Sequence, residues 1–104
     1  MNTIPNYIFR KALTSDLKFF FESMSSLEGS YIDSFEFEVN YKSKIGNLDF
    51  ILFVIEDMNI PVGCVALQKV QNLSDSSPWI EIVEFFILPK YRKLQAADFF
   101  YHKI

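Results

Sequence analysis

A chain of 104 residues with ten basic and 13 acidic side chains, a net charge of −3 and half its residues apolar is sized for one hydrophobic core. Such apolar content excludes an intrinsically disordered chain, and the acidic balance argues against a general nucleic-acid binder. The longest uninterrupted apolar run, residues 50–55, falls far short of the ~20 residues that a membrane helix needs. Residues 6–13 begin as an alternating strand, with Tyr7 and Phe9 opposed to Ile8 and Arg10. Thr14, Ser15 and Asp16 then offer side-chain oxygens for a helix start. Leu17, Phe20, Phe21, Met24 and Leu27 follow at helical spacing, and Gly29 is placed to stop that helix.

Residues 33–45 carry two readings. Phe35, Phe37, Val39 and Tyr41 alternate with Glu36, Glu38, Asn40 and Lys42, which is strand periodicity. A short helix stays open if packing overrides that alternation. Residues 49–56 are a β-rich apolar run bounded by polar residues, the pattern of a strand buried on both faces. Asp57, Met58 and Asn59 make a turn, and Ile60–Val70 forms a strand that pairs back as an antiparallel hairpin. A polar loop over 71–78 leads to a strand over 79–88, ended by Pro89, which cannot continue a ladder. From Ala96 onward a helix begins. The expected order is β-α-(α)-β-β-β-α in one domain spanning residues 1–104.

Few residues offer chemistry. His102 is the sole histidine and Cys64 the sole cysteine, so no disulfide, multi-cysteine metal site or histidine metal site can be built within one chain. His102 reads as a solvated or packing residue. Cys64, between Val62 and Val65 and with no basic neighbour, reads as a small buried hydrophobe. Residues 1–10 lack a cationic segment followed by an apolar one, so no secretory signal is expected and the domain is taken as soluble and cytoplasmic. Lys90, Arg92 and Lys93 gather where a strand hands over to a helix, a place suited to a phosphate, with Ala96 and Ala97 leaving the backbone open. An ordinary solvated turn would show the same charges.

Ile87-Leu88-Pro89-Lys90-Tyr91-Arg92 and Arg92-Lys93-Leu94-Gln95-Ala96-Ala97 resemble two joined motifs of the GNAT superfamily of N-acetyltransferases. The first matches a hydrophobic-x-Pro-x-x-Arg strand end. The second matches an [Arg/Gln]-x-x-Gly-x-[Gly/Ala] loop, with Gln95 standing where that family has Gly. The resemblance implies an α/β fold with a mixed α+β sheet, covering about the first two-thirds of a family domain. The chain is therefore expected to be a truncated GNAT-like acyl-CoA N-acyltransferase fold. The family order also favours helix for residues 33–45. Glu81 and Glu84, together with the Arg-x-Leu-Gln loop, look most like the aminoalkylphosphonate N-acetyltransferase branch.

The resemblance further implies acetyl transfer from acetyl-CoA to an amine of a small molecule or protein. Backbone groups of Phe85, Phe86 and Ile87 would pair with the pantetheine arm. Those of Arg92, Lys93, Leu94, Gln95, Ala96 and Ala97 would hold the pyrophosphate. Glu81 aligns with the strand glutamate that acts as base in the histone-acetyltransferase branch, and Glu84 is its competitor. Strand parity puts the two on opposite faces of a regular strand. Both being merely solvated is the remaining alternative. The missing C-terminal strands imply a second possibility, a non-catalytic remnant serving as a CoA-binding or interaction module. They also imply a homodimer, with a partner covering the strand over 79–88 and Phe85, Phe86, Phe99 and Phe100.

Overall fold

The computed structural model describes residues 7–29, 31–71, 73–74 and 78–92. Strand β1 (Tyr7–Lys11) leads through a 3-10 turn (Thr14–Asp16) into helix α1 (Leu17–Glu28), followed by helix α2 (Ser34–Ile45). Strands β2 (Phe50–Asp57), β3 (Ile60–Val70) and β4 (Trp79–Ile87) and a single helical turn, α3 (Pro89–Arg92), complete the order. The strands form one sheet in the order β1-β2-β3-β4, each pair antiparallel. The α+β class and the element order agree with the sequence. No helix among the described residues is long and apolar enough to cross a membrane.

The two faces of the sheet hold two cores. α1 and α2 lie on one face, where Phe20, Met24 and Tyr41 meet Leu52, Val54, Cys64 and Phe86. The other face packs Ile55, Val62, Val65 and Leu67 against Phe9, Phe53 and Phe85. Tyr91 of α3 reaches that second face and meets the Tyr7 ring edge-on, with centroids 6.5 Å apart. Thus α3 sits across the sheet from α1 and α2.

The helical period of α1 buries Phe20 and Met24, and Gly29 ends the helix in the left-handed conformation at φ 67°, its N–H donating to Ser25 O at 3.1 Å. At the hairpin, Met58 and Asn59 both have positive φ, 50° and 67°. A two-residue turn of that hand matches the twist of the strands it joins. The alternation over residues 33–45 is misleading, and the segment is helix α2. Two i,i+4 pairs are interleaved there: Phe37 and Tyr41 face inward, while Phe35 and Val39 stay exposed. The Asp33 side chain caps the helix by accepting the Glu36 N–H at 2.9 Å. α3 is a helical turn at Pro89–Arg92 that the sequence did not suggest. Proline suits a first helical position, whose N–H has no intrahelical partner in any case. Residue 96 onward lies outside the described residues.

A partly buried ion cluster ties β1 to the start of α1. Arg10 donates through Nη1 and Nη2 to Asp16 at 2.8 and 2.9 Å and pairs through Nε with Glu56 of β2 at 3.1 Å. Asp16 also accepts the Leu13 N–H at 2.7 Å, so its carboxylate organises the connection instead of capping α1. These hydrogen bonds from Arg10, opposed by burial and aided by the Leu13 N–H, hold the Asp16 carboxyl below the usual range. Asp16→Asn is expected to lower unfolding stability by about 1–3 kcal/mol at neutral pH, the worth of hydrogen bonds to a charged group. A carboxyl whose folded pKa is depressed stabilises fully above its unfolded value of about 3.9, and that stabilisation fades as pH falls through the folded value. Urea titrations of both proteins should therefore show a gap at pH 7 that closes in acid. A gap that persists below both values would assign the effect to shape rather than charge.

Candidate functional site

An irregularity in β4 decides where the two glutamates point. Gln68 opposes Glu81, Leu67 opposes Ile82 and Ala66 opposes Glu84, which leaves Val83 as an extra residue on β4. A bulge of this kind breaks the alternation of a strand and re-aims its side chains. Gln68 and Ala66 are two residues apart on β3 and share a face, so their partners Glu81 and Glu84 share it as well. The parity expectation is overturned: both glutamates lie on the face that α1 and α2 cover.

Their surroundings differ. Glu84 is half-buried and lines a groove of about 190 Å³ between the sheet and the helices. Ala66 forms the floor, Phe50 and Leu52 the β2 side, Phe20 and Met24 the α1 side, and Phe37 and Tyr41 the α2 side. Tyr41 is held by its hydroxyl, which donates to Leu13 O at 2.5 Å, so it turns its ring rather than a polar tip toward neighbours; Phe20 lies 5.2 Å from that ring. Burial, and then the Glu28 carboxylate at the end of α1, raise the pKa of Glu84. Glu81 is exposed nearer the start of β4, where Trp79 Nε1 donates to its Oε1 at a long 3.3 Å. Lys44 of α2 borders the groove on the β2 side, with Nζ 4.9 Å from the centre of the Phe50 ring.

Cys64 is fully buried on the same face of the sheet. Burial pushes its thiol up to about 12, the neighbouring Ser23 hydroxyl working against that rise and the Glu84 charge adding to it. It is a packing residue, as its sequence context indicates, and holds no thiolate near neutral pH.

Of the residues expected at a coenzyme site, Phe86 and Ile87 are buried at the end of β4 and Phe85 is half-buried against the second core. Arg92 is the last residue of α3. Lys93, Leu94, Gln95, Ala96 and Ala97 lie outside the described residues, as do Phe99, Phe100 and His102. The groove itself was not foreseen. Its signals in the sequence are the helical stripe through Phe20 and Met24, the i,i+4 pair Phe37 and Tyr41, and a small residue, Ala66, between Val65 and Leu67.

No protein-family model matches the sequence, and no curated relative matches it. Solved structures do. A GNAT family acetyltransferase from Staphylococcus aureus superposes with a TM-score of 0.77 at 16% identity, over 93% of this chain and 73% of that one. A possible acetyltransferase from Clostridium difficile gives 0.83 at 14% identity, over 93% and 67% of the two chains. An aminoglycoside N-acetyltransferase in complex with CoA gives 0.78 at 14%, over 99% and 69%. The fold is that of the GNAT acetyltransferases. Within the GNAT fold, the described residues supply a four-stranded antiparallel sheet, two helices on one face and a single helical turn on the other.

The raised pKa of Glu84 has a consequence for stability. A carboxyl that binds its proton more tightly when folded favours folding below its unfolded pKa, and this benefit is lost as pH rises through the folded value. Glu84→Gln, which keeps the shape and never ionises, is expected to raise the melting temperature at pH 8 and to leave it unchanged below about pH 4, where Glu84 is protonated in both states. Differential scanning calorimetry across that range measures it; equal melting temperatures at pH 8 would mean that Glu84 is well solvated.

Proposed function

We propose that the protein is an N-acetyltransferase that uses acetyl-CoA as co-substrate and delivers the acetyl group to an amine. The observation that carries this reading is a half-buried carboxylate, Glu84, facing an apolar groove beside a bulge in β4 of a GNAT fold. In this reading the backbone of Phe85, Phe86 and Ile87 lines the pantetheine arm. Residues 92–97, following the turn that carries Lys90 and Arg92, hold the pyrophosphate. The chemistry of the described part fits the group: a strand end leads directly into a short helical turn with two basic residues, in a chain of net charge −3. One of the similar structures is itself a complex with CoA.

Acetyl-CoA brings an acetyl group activated as a thioester, whose C–S bond breaks as the C–N bond to the acceptor forms. The protein's own task is the acceptor's proton. An alkyl-ammonium ion is no nucleophile until it loses one, and a base within hydrogen-bond reach makes that loss productive. Glu84 is the base in this proposal. Its raised pKa moves it toward the working pH, where a general base is most effective. Glu81, on the same face but exposed, is the competing base and otherwise a contact for the incoming cation. Phe20, Met24 and Tyr41 keep the reacting end of the groove dry.

Acetyl-CoA should raise the melting temperature of the purified chain, because a ligand that binds only the native state must stabilise it. Arg92→Glu should weaken CoA in calorimetry and Gln95→Gly should tighten it, whereas equal affinities of both variants and the parent would remove the turn from the coenzyme site. Glu84→Gln should lower kcat by about 10²-fold or more, the contribution of a positioned base, with CoA affinity unchanged. Full activity in Glu84→Gln with loss in Glu81→Gln would hand the role to Glu81.

Self-association belongs to the same proposal. Ile80 and Ile82 remain 58 and 40% exposed on β4, apolar surface of the sort that a second copy covers. Light scattering at micromolar concentration is expected to give a homodimer, and a stable monomer would exclude it.

A further inference from the structure

The groove beside Glu84 has one acidic end, one basic end and an apolar middle, and this polarity is more selective than a generic amine site. At the acidic end the Glu84 and Glu28 carboxylates are close enough to raise the pKa of the former. That end attracts a cation. On the far side Lys44 stands over Phe50 of β2. Glu84 is on β4, Ala66 of β3 lies between it and Leu52 of β2, and Phe50 is two residues further along β2, so the two ends are two strand spacings across and two residues along, roughly 12 Å, apart. A second positive charge carried that distance would meet an ammonium group of like sign.

Apolar carbon makes up the space between. Phe20, Met24, Phe37, Leu52 and Ala66 offer no hydrogen bond, and the Tyr41 hydroxyl is already committed to Leu13 O. Besides Glu84 and Lys44, Asn40 supplies the remaining polar side group of the lining. Hydroxyl groups placed there would leave water without replacement partners, which is unfavourable for each of them. Size points the same way. Sites for drug-sized ligands run about 300–1,000 Å³, and a groove of about 190 Å³ matches a one- or two-ring compound instead.

We propose that this groove takes a small primary monoamine with an aromatic or branched-alkyl body, its ammonium toward Glu84 and its apolar body over Ala66 between Phe20 and Phe37, and that it rejects polyamines and aminosugars. The inference rests on the acetyltransferase reading for the fate of the amine, but not for its binding. Here the chain departs from what the name of the similar aminoglycoside N-acetyltransferase states of that enzyme's substrate.

Binding is read by chemical-shift titration of the isotope-labelled chain with phenethylamine, 2-phenylethanol, putrescine and tobramycin as probes. Phenethylamine is expected to shift the signals of Phe20, Met24 and Ala66 and to bind about tenfold or more tighter than putrescine or tobramycin, the ring being buried. It should also exceed 2-phenylethanol, which lacks the charge. Ala66→Leu, which fills the floor opposite Glu84, should abolish the phenethylamine shifts while CoA affinity stays at the parent value. The milder Ala66→Val replaces it if the larger side chain unfolds the protein. Equal or tighter binding of tobramycin or putrescine, or phenethylamine shifts that map away from the groove, overturns the proposal. Acetylation of amines without preference for phenethylamine also overturns it and leaves the acetyltransferase reading standing. Phenethylamine seated in the groove of a chain that binds no CoA would do the reverse.

Discussion

One inserted residue, Val83, constrains the rest of the site. Without it β4 would alternate regularly, and Glu81 and Glu84 would point to opposite faces. With it, the half of β4 before the bulge is rotated so that both carboxylates face the helices. Beyond the bulge the strand is held firmly. Gly63 of β3 lies opposite Ile87, and a Cβ there would come within 2.9 Å of Phe86 O, so the end of β4 and β3 approach closely because glycine is present. The strand is thus clamped at its end and twisted in its middle, and the twist sets Glu84 against the groove.

That arrangement holds a carboxylate in surroundings that disfavour its charge. The apolar walls of the groove are the ones that desolvate Glu84, and the nearby Glu28 adds repulsion. Sites that perform proton transfer commonly keep groups in such conflict, and the fold supplies the compensating stability elsewhere. Here the compensation has an identifiable source. Arg10, Asp16 and Glu56 lock β1, β2 and the approach to α1 together, so the helix that roofs the groove is fixed at its base.

Much of this was readable from residues alone, and the exceptions share a cause. The stripe Leu17 to Leu27, the stop at Gly29 and the tight turn after Asp57 follow from local preferences that nothing distant contradicts. The segment 33–45 deceived because two inward and two outward positions, each four apart, interleave into apparent alternation. Asp33 and Glu36, three residues apart, are the local mark of the helix cap. Bulges leave no comparable mark. Val83 is one of several β-branched residues in its strand, and its displacement is fixed by the register of β3, a long-range fact that no window on β4 contains. Hence the sequence placed Glu81 and Glu84 on the right strand and in the wrong relation to each other. The groove depends on five separated segments, in α1, α2, β2, β3 and β4, and was invisible for the same reason.

The interior position of Cys64 gives the molecule a built-in clock. With one thiol in the chain and none of its surface exposed, an alkylating reagent can react only during excursions that part α1 from β3. When closing outruns alkylation, the observed velocity equals the reagent's intrinsic rate multiplied by the fraction of time spent open. Every excursion is counted at the same place, directly under the helix whose departure would also empty the groove. Thiol trapping therefore meters the breathing of α1 against the sheet in the unmodified native sequence, without a reporter having to be introduced.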